Sequence, residues 1–230
     1  MNTIVDQNVS VKIVRTKRRK TASIQIRDGL IRAVVPNQIS DFRVEALIKK
    51  RMPWIRKKLQ EESKIVIPSI KEYVSGESLT YLGKNYRLKI ITNSKRSVKL
   101  IGGYIEVSVP KKSPSTIKNM LTQWYIDHAI ERLKDKTDRY ANIIGVSPST
   151  VSVRDYKSKW GSCSSDGNIS YNWRIIMSPH RIVDYIVIHE LCHMLEHNHS
   201  KNFWQHVSNN CRDYKECRDW LKINGRVLTI

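Results

Sequence analysis

The residues with the clearest chemical potential are His189-Glu190-Leu191-Cys192-His193, followed by His199. This is H-E-x-x-H with a further histidine ten residues after the first. On a helix, positions i and i+4 lie on one face, so His189 and His193 can present two imidazoles to one metal ion. Glu190 lies beside them and can reach a metal-bound water as general base. Zinc suits such a set: three protein ligands leave a coordination position open for water and bring that water's pKa to about 7. The surrounding IVDYIVIHELCHML is apolar nearly all round, as in a helix buried in a core. Two histidines and a carboxylate are costly to bury there unless a metal uses them.

The third ligand follows from helix geometry. His189, His193 and His197 share one stripe, but at 1.5 Å rise per residue the outer pair would stand about 12 Å apart. No ion with bonds of about 2.0–2.1 Å can span that distance. A ligand beyond His193 must therefore come from chain that has left the helix. The metzincin pattern places a Gly three residues after the second His for this turn, whereas Glu196 stands here. Asn198 is expected to make the turn in a left-handed conformation, with Ser200 capping the next helix. His199 is the preferred third ligand, and Glu216 on a later helix is the competitor. For the oxyanion, Tyr171, Tyr185, His206 and Tyr214 are all candidates.

The positioning elements can be read from periodicity. VSVKIVR, ASIQIR and LIRAVVP read as strands, with Asp28-Gly29 as a hairpin turn. Residues 39–63 read as a helix with Val44, Leu47, Ile48, Met52, Ile55 and Leu59 on its apolar face. Strands return over 77–110, with turns at Lys84-Asn85 and Gly102-Gly103. Pro110–Pro114 marks a junction between halves. A long helix follows to about Ile144, its core face including Ile117, Met120, Leu121, Trp124, Ile130, Leu133 and Tyr140. TVSVRD reads as a strand, KSKWGSCSSDGN as irregular, and ISYNW with RIIMS as a strand pair. The motif helix is expected over 180–196, followed by two shorter helices. No internal repeat is visible in the sequence.

The net charge is +20, and most of the surplus lies in residues 1–112. Lys17, Arg18, Arg19 and Lys20 in a turn, and Lys49, Lys50, Arg51, Arg56, Lys57 and Lys58 on the first helix, form two basic clusters. Such a surface attracts polyanions, so nucleic acid is a possible partner. No apolar run of 18 residues or more appears, so no membrane span is expected. The N-terminal residues lack a signal core. Cys163, Cys192, Cys211 and Cys217 form no CxxC pair and read as reduced thiols of a cytoplasmic protein.

The stretch Arg154–Trp204 resembles the YgjP-like family of predicted zinc metallopeptidases, through KSKWGSCSSDGNISYNWRI, VDYIVIHELCHM and NHSKNFW. The resemblance implies a zincin-like catalytic domain with His199 as third ligand. In such domains an extended substrate lies against an edge strand beside the helix. The strands around 150–177 are expected to supply that edge, with Gly161 allowing close backbone approach. Trp160 fits either a substrate pocket or a tight packing turn. The expected architecture is α+β: a basic β-rich N-terminal half with one helix (1–112) and a helical zincin-like catalytic domain (113–230). The expected function is a zinc metallopeptidase acting on peptide or protein substrates, with metal ligands His189, His193 and His199 and catalytic Glu190. The alternatives are a nucleic-acid-associated protease and a non-enzymatic nucleic-acid-binding protein with a structural zinc.

Overall fold

The computed structural model describes residues 3–6, 9–17, 21–27, 29–65 and 70–230. Arg18, Arg19, Lys20 and Asp28 lie outside the described residues. The fold is α+β, and it divides into two compact units, residues 1–66 and 67–230.

The first unit is a four-stranded sheet followed by one helix. Its strands are β1 (Thr3–Asp6), β2 (Val9–Thr16), β3 (Ser23–Arg27) and β4 (Leu30–Pro36), and its helix is α1 (Asp41–Ser63). The spatial order is β1-β2-β4-β3, with β2 parallel to β4 and both outer pairings antiparallel. Alternation along the strands puts Val11, Ile13, Ile31, Ala33 and Val35 on one buried face. Val44, Ile48, Met52 and Ile55 of α1 complete that core at helical spacing, as their periodicity requires. Gly29 takes φ +74°, the left-handed conformation that a tight β3–β4 connection needs.

The second unit begins with the same plan. Strands β5 (Ser78–Tyr81), β6 (Lys84–Thr92), β7 (Ser97–Ile101) and β8 (Tyr104–Val109) are ordered β5-β6-β8-β7, and helix α2 (Pro114–Ile144) follows. Here too the first and last pairings are antiparallel and the central one, β6 with β8, is parallel. A third sheet, β9 (Thr150–Arg154), β10 (Gly161–Cys163) and β11 (Asn168–Asn172), has β11 between parallel β9 and antiparallel β10. All three sheets therefore contain one motif: the first strand parallel to the third, and the second antiparallel on the third strand's other side. The sequence shows no repeat because the motif needs only alternation and turns, which many residue choices satisfy.

A 3-10 segment (Trp173–Met177) leads to α3 (His180–Cys192), then α4 (Lys201–Asn210), α5 (Tyr214–Asn224) and a last 3-10 turn. RIIMS is thus a 3-10 segment rather than a strand, with Ile175, Ile176 and Met177 all buried. On a fully buried run of this length, strand and 3-10 turn look alike in the sequence. The GSC stretch, expected to be irregular, is strand β10.

The expected division at residues 112 and 113 falls inside the second unit. Val107 and Val109 of β8 share one core cluster with Ile117 and Leu121 of α2. Along α2 the buried stripe steps by four through Leu121, Tyr125, Ala129, Leu133, Thr137 and Ala141. Ile130, expected on that face, is one position off it and exposed. α3 is buried almost all round, through Ile182, Val183, Tyr185, Ile186, Val187, Ile188 and Leu191. Lys136 of α2 pairs with Asp184 of α3 at 2.5 Å.

The β5–β6 turn lies at Leu82-Gly83, two residues before the expected Lys84-Asn85. Leu82 (φ 48°) and Gly83 (φ 77°) are both left-handed, the geometry that continues the strand twist through a two-residue loop. The turn docks on the entry to α3: Leu82 N–H donates to Ile176 O at 2.8 Å and Gly83 N–H to Met177 O at 3.2 Å. A Cβ on Gly83 would stand 2.7 Å from Pro179 Cα, the residue before α3. Gly83→Ala therefore meets both a backbone conformation and a backbone contact that favour glycine. It is expected to destabilise the second unit by roughly 2–4 kcal/mol. Chemical denaturation checks this, and an unchanged midpoint would show that the α3 entry yields without strain.

Candidate metal centre

α3 carries the motif at its C-terminal end. His189 is in its last turn, and His193 is the C-cap, with φ −66° and ψ −18°. The helix ends at Cys192, four residues before the expected end at Glu196. Met194 N–H bonds back to Leu191 O, and Leu195 and Glu196 N–H both to Cys192 O, closing the turn. No left-handed residue is used, so Asn198 does not take the expected conformation; among non-glycine described residues only Tyr73 and Leu82 have positive φ. Asn198 acts through its side chain, whose Oδ1 accepts from Ser200 N–H at 2.9 Å. Such a side-chain turn replaces the left-handed backbone turn. Ser200 then caps α4 as expected, its Oγ accepting from Phe203 N–H at 3.2 Å.

This path returns His199 to the helix end. The ring centroids of His189, His193 and His199 lie 4.9, 5.1 and 4.8 Å apart pairwise. One nitrogen from each falls within 4.8 Å of the others. His189 Nε2 and His199 Nε2 are 3.2 Å apart. His193 Nδ1 lies 3.1 Å from Glu196 O, a partner that fixes Nδ1 as the donor and leaves Nε2 with a lone pair. His197 is exposed and outside the cluster, in accord with the rise argument. Glu216 is exposed on α5 beside Arg181 at 3.7 Å, also outside it.

Two aromatic residues of α4 hold the rings. Phe203 stacks on His193 at 4.5 Å, and Trp204 stacks on His199 at 5.5 Å. Tyr214 of α5 stacks in turn on Trp204. The sequence marks Tyr214 as an oxyanion candidate and gives Phe203 and Trp204 no role. Their signal was Phe203 and Trp204 at three and four residues after the capping Ser200, the face that α4 turns inward. Of the oxyanion candidates, Tyr171 has its hydroxyl engaged with Thr137 in the core, and Tyr185 packs edge-on against His189.

Burial, and then the neighbouring His193 and His199, hold the His189 imidazole down at about 3. Burial also lowers His193. Three imidazoles thus converge, and burial holds His189 and His193 toward the neutral form. Buried His189 Nδ1 has no hydrogen-bond partner. The donor set fits zinc: bonds of about 2.0–2.1 Å in a tetrahedron place nitrogens about 3.3–3.4 Å apart, close to the His189–His199 separation.

Glu190 projects to a different side of α3 and is 5% exposed. Burial pushes its carboxyl up to about 8, with Lys159 pulling it the other way. Its neighbour is Gly161 of β10, the edge strand of the third sheet. A Cβ there would stand 2.5 Å from Glu190 Oε1 and 2.7 Å from Cδ. The close approach expected at Gly161 is therefore made by the Glu190 side chain. Trp160 packs on Gly225, whose added Cβ would stand 2.8 Å from its ring. The same Trp160 lines a groove of about 500 Å³ with Lys157, Lys159, Arg174 and Lys222.

Comparison with known proteins bears on this arrangement. A family model for the YgjP-like metallopeptidase domain matches residues 20–224. No curated protein matches the chain. Among solved structures, the chain is similar to the metallopeptidase zymogen abylysin of Pyrococcus abyssi, with 23% identity over 40% of this chain and 94% of that one, at a TM-score of 0.34. It is also similar to the metallopeptidase zymogen jannalysin of Methanocaldococcus jannaschii, with 20% identity over 36% and 90%, at a TM-score of 0.32.

The Gly161 contact generates a prediction separable from metal binding. Gly161→Ala forces Glu190 aside while leaving the three imidazoles untouched. Peptidase activity is expected to fall by roughly 10²-fold, the scale of an ångström-level misplacement. Metal content, read by elemental analysis, is expected to stay at the wild-type value.

Proposed function

The chain belongs to the YgjP-like metallopeptidase family, and from that premise we propose that it is a zinc peptidase with Glu190 as its general base. The observation that carries this reading is the convergence of three imidazoles at the end of α3, with the buried Glu190 carboxyl one residue from the first. His189, His193 and His199 hold the metal. When bound, zinc supplies a Lewis acid for the peptide carbonyl and makes water acidic enough to deprotonate near neutral pH. Glu190 takes a proton from the attacking water on its carboxylate. The water oxygen bonds to the carbonyl carbon, the C–N bond breaks, and Glu190 returns the proton to the leaving nitrogen. Gly161 and the wall of α3 fix the carboxylate and exclude bulk water from its inner side.

The third sheet supplies a place for the substrate. β10 is an edge strand, so its free side can pair with an extended peptide. The lysines of the neighbouring groove favour acidic stretches of that peptide. This completes the zincin-like reading of the C-terminal part, with β10 added to the helices. Among the described residues no helix is long and apolar enough to cross a membrane.

Two substitutions test the assignment. Glu190→Gln keeps the size of the side chain and removes the base. It is expected to retain zinc and lose roughly 10²–10⁴ in rate. His199→Ala is expected to lose zinc affinity, measured by chelator competition, whereas Glu216→Ala keeps it. The opposite pattern would make Glu216 the third ligand.

One observation favours an additional polyanion contact. On α1, Lys49, Lys50, Arg51 and Lys57 are all exposed, Lys50 and Lys57 opposite the buried Val44–Ile55 stripe, Lys49 on the flank and Arg51 at the stripe's margin. If this face binds duplex DNA, affinity falls with salt at a slope of about −0.9 per phosphate neutralised. Titrations at two salt concentrations, with wild type and a variant carrying serine at these four positions, check this. No binding at low salt leaves a peptidase without a nucleic-acid partner.

A further inference from the structure

A second cluster of ligating side chains lies at the corner between α4 and α5. Cys211 ends α4, Asp213 precedes α5, and Cys217 is inside it. The two thiols and the carboxylate place one ligand atom each within 4.8 Å of one another. Cys211 Sγ is 3.4 Å from Asp213 Oδ1, and Cys217 Sγ is 3.6 Å from Asp213 Oδ2. Cys217 is fully buried and Cys211 is 8% exposed, whereas the Asp213 side chain is 44% exposed.

We propose that Cys211, Asp213 and Cys217 form a second metal site, structural in role, for a zinc-class divalent ion. Zinc–sulfur bonds of about 2.3 Å and zinc–oxygen bonds of about 2.0–2.2 Å in a tetrahedron put sulfur and oxygen about 3.5–3.6 Å apart. Each sulfur stands at about that separation from one carboxylate oxygen, Cys211 from Oδ1 and Cys217 from Oδ2, so the two thiols bracket the carboxylate rather than share one oxygen. The conduct of Asp213 is an independent observation. It occupies the N-cap position of α5, where aspartate normally accepts from the first turn's N–H groups, yet its side chain makes no capping bond. The carboxylate instead stands between the two sulfurs.

Charge balance is favourable too. Metal uptake releases two thiol protons to solvent, leaving two thiolates and a carboxylate around a dication, a net charge of −1. Arg181 Nη1, 3.5 Å from Asp213 Oδ2, offsets that charge. Solvent fills the fourth position through the exposed side of Asp213. The ion would tie the end of α4 to the start of α5, next in the chain to Tyr214, which stacks on Trp204 and through it on His199. The two thiols are soft ligands, so this site and the all-imidazole site have different spectroscopic signatures.

The test uses full-length protein, purified under reducing conditions and stripped of metal, then titrated with Co2+. Two ions per chain are expected, together with the near-ultraviolet sulfur-to-cobalt charge-transfer band that an imidazole site cannot give. His199→Ala is expected to keep the band. Cys211→Ser combined with Cys217→Ser is expected to abolish it and to leave one ion per chain. Should that double variant fail to fold by circular dichroism, Asp213→Asn, altered only at a part-exposed position, is expected to weaken the band's Co2+ affinity by roughly tenfold or more. A wild-type stoichiometry of one with no thiolate band overturns the proposal. So does a band that survives the double substitution, or an unchanged affinity in Asp213→Asn.

Discussion

Polar groups that enter an apolar core must be given partners, and the second unit is organised around that requirement at one end of α3. For ten residues the helix is wrapped by sheet, helix and 3-10 segment, with little beyond hydrocarbon facing its neighbours. Glu190 and His189 interrupt this wrapping and cannot be hydrated from the inside. The Glu190 side chain fills the space that a Gly161 side chain would take, and the His189 ring lies among two further imidazoles while its Nδ1 keeps no partner. The low proton affinity of His189 and the raised proton affinity of Glu190 have one cause, since burial disfavours the charged form of each. A group that prefers to be neutral and rich in lone pairs beside a group willing to hold a proton is a useful pairing for hydrolysis.

The three sheets show how economically the chain builds its supports. One strand motif, with its first and third members parallel and its second on the outside, occurs three times. In the first two cases an extra leading strand and a following helix complete the unit of construction. In the third, the following element is the 3-10 segment that leads into α3, and the outer strand is β10. The strand that is merely an edge in the first two sheets becomes, in the third, the wall against which Glu190 rests.

Much of this site was legible in the residues themselves. The rise of a helix excluded His197 and sent the third imidazole to the chain beyond, where His199 stands. Ser200 was readable as a cap because its type and position leave few other uses. The means of turning was not readable: Asn198 has two ways to redirect a chain, through its backbone or its side chain, and only the folded context selects the second. The early end of α3 at Cys192 was hidden because Met194 and Leu195 continue the apolar run. The Leu82-Gly83 turn was missed because leucine seldom adopts positive φ, and here the hydrogen bonds to Ile176 and Met177 hold it there. The junction near residue 112 looked like a domain boundary because proline and lysine cluster there. Only packing shows that β8 and α2 share a core across it. Cys211 and Cys217 carried no spacing signal, since the turn between two helices, and not the sequence interval, brings their sulfurs together.

The seating of the β5–β6 turn on Pro179 has a mechanical meaning. α3 spans 13 residues, about 18 Å of rigid rod held along its buried faces, with the turn seated just before its first residue and the motif at its far end. A tilt of about 5° at the near end would swing the far end by roughly 1.5 Å, from the same rise per residue. The hairpin therefore adds its stiffness to that of the core around the helix in fixing the direction of groups most of a domain away. Gly83, far from the imidazoles, steadies the near end of the rod whose far end carries them.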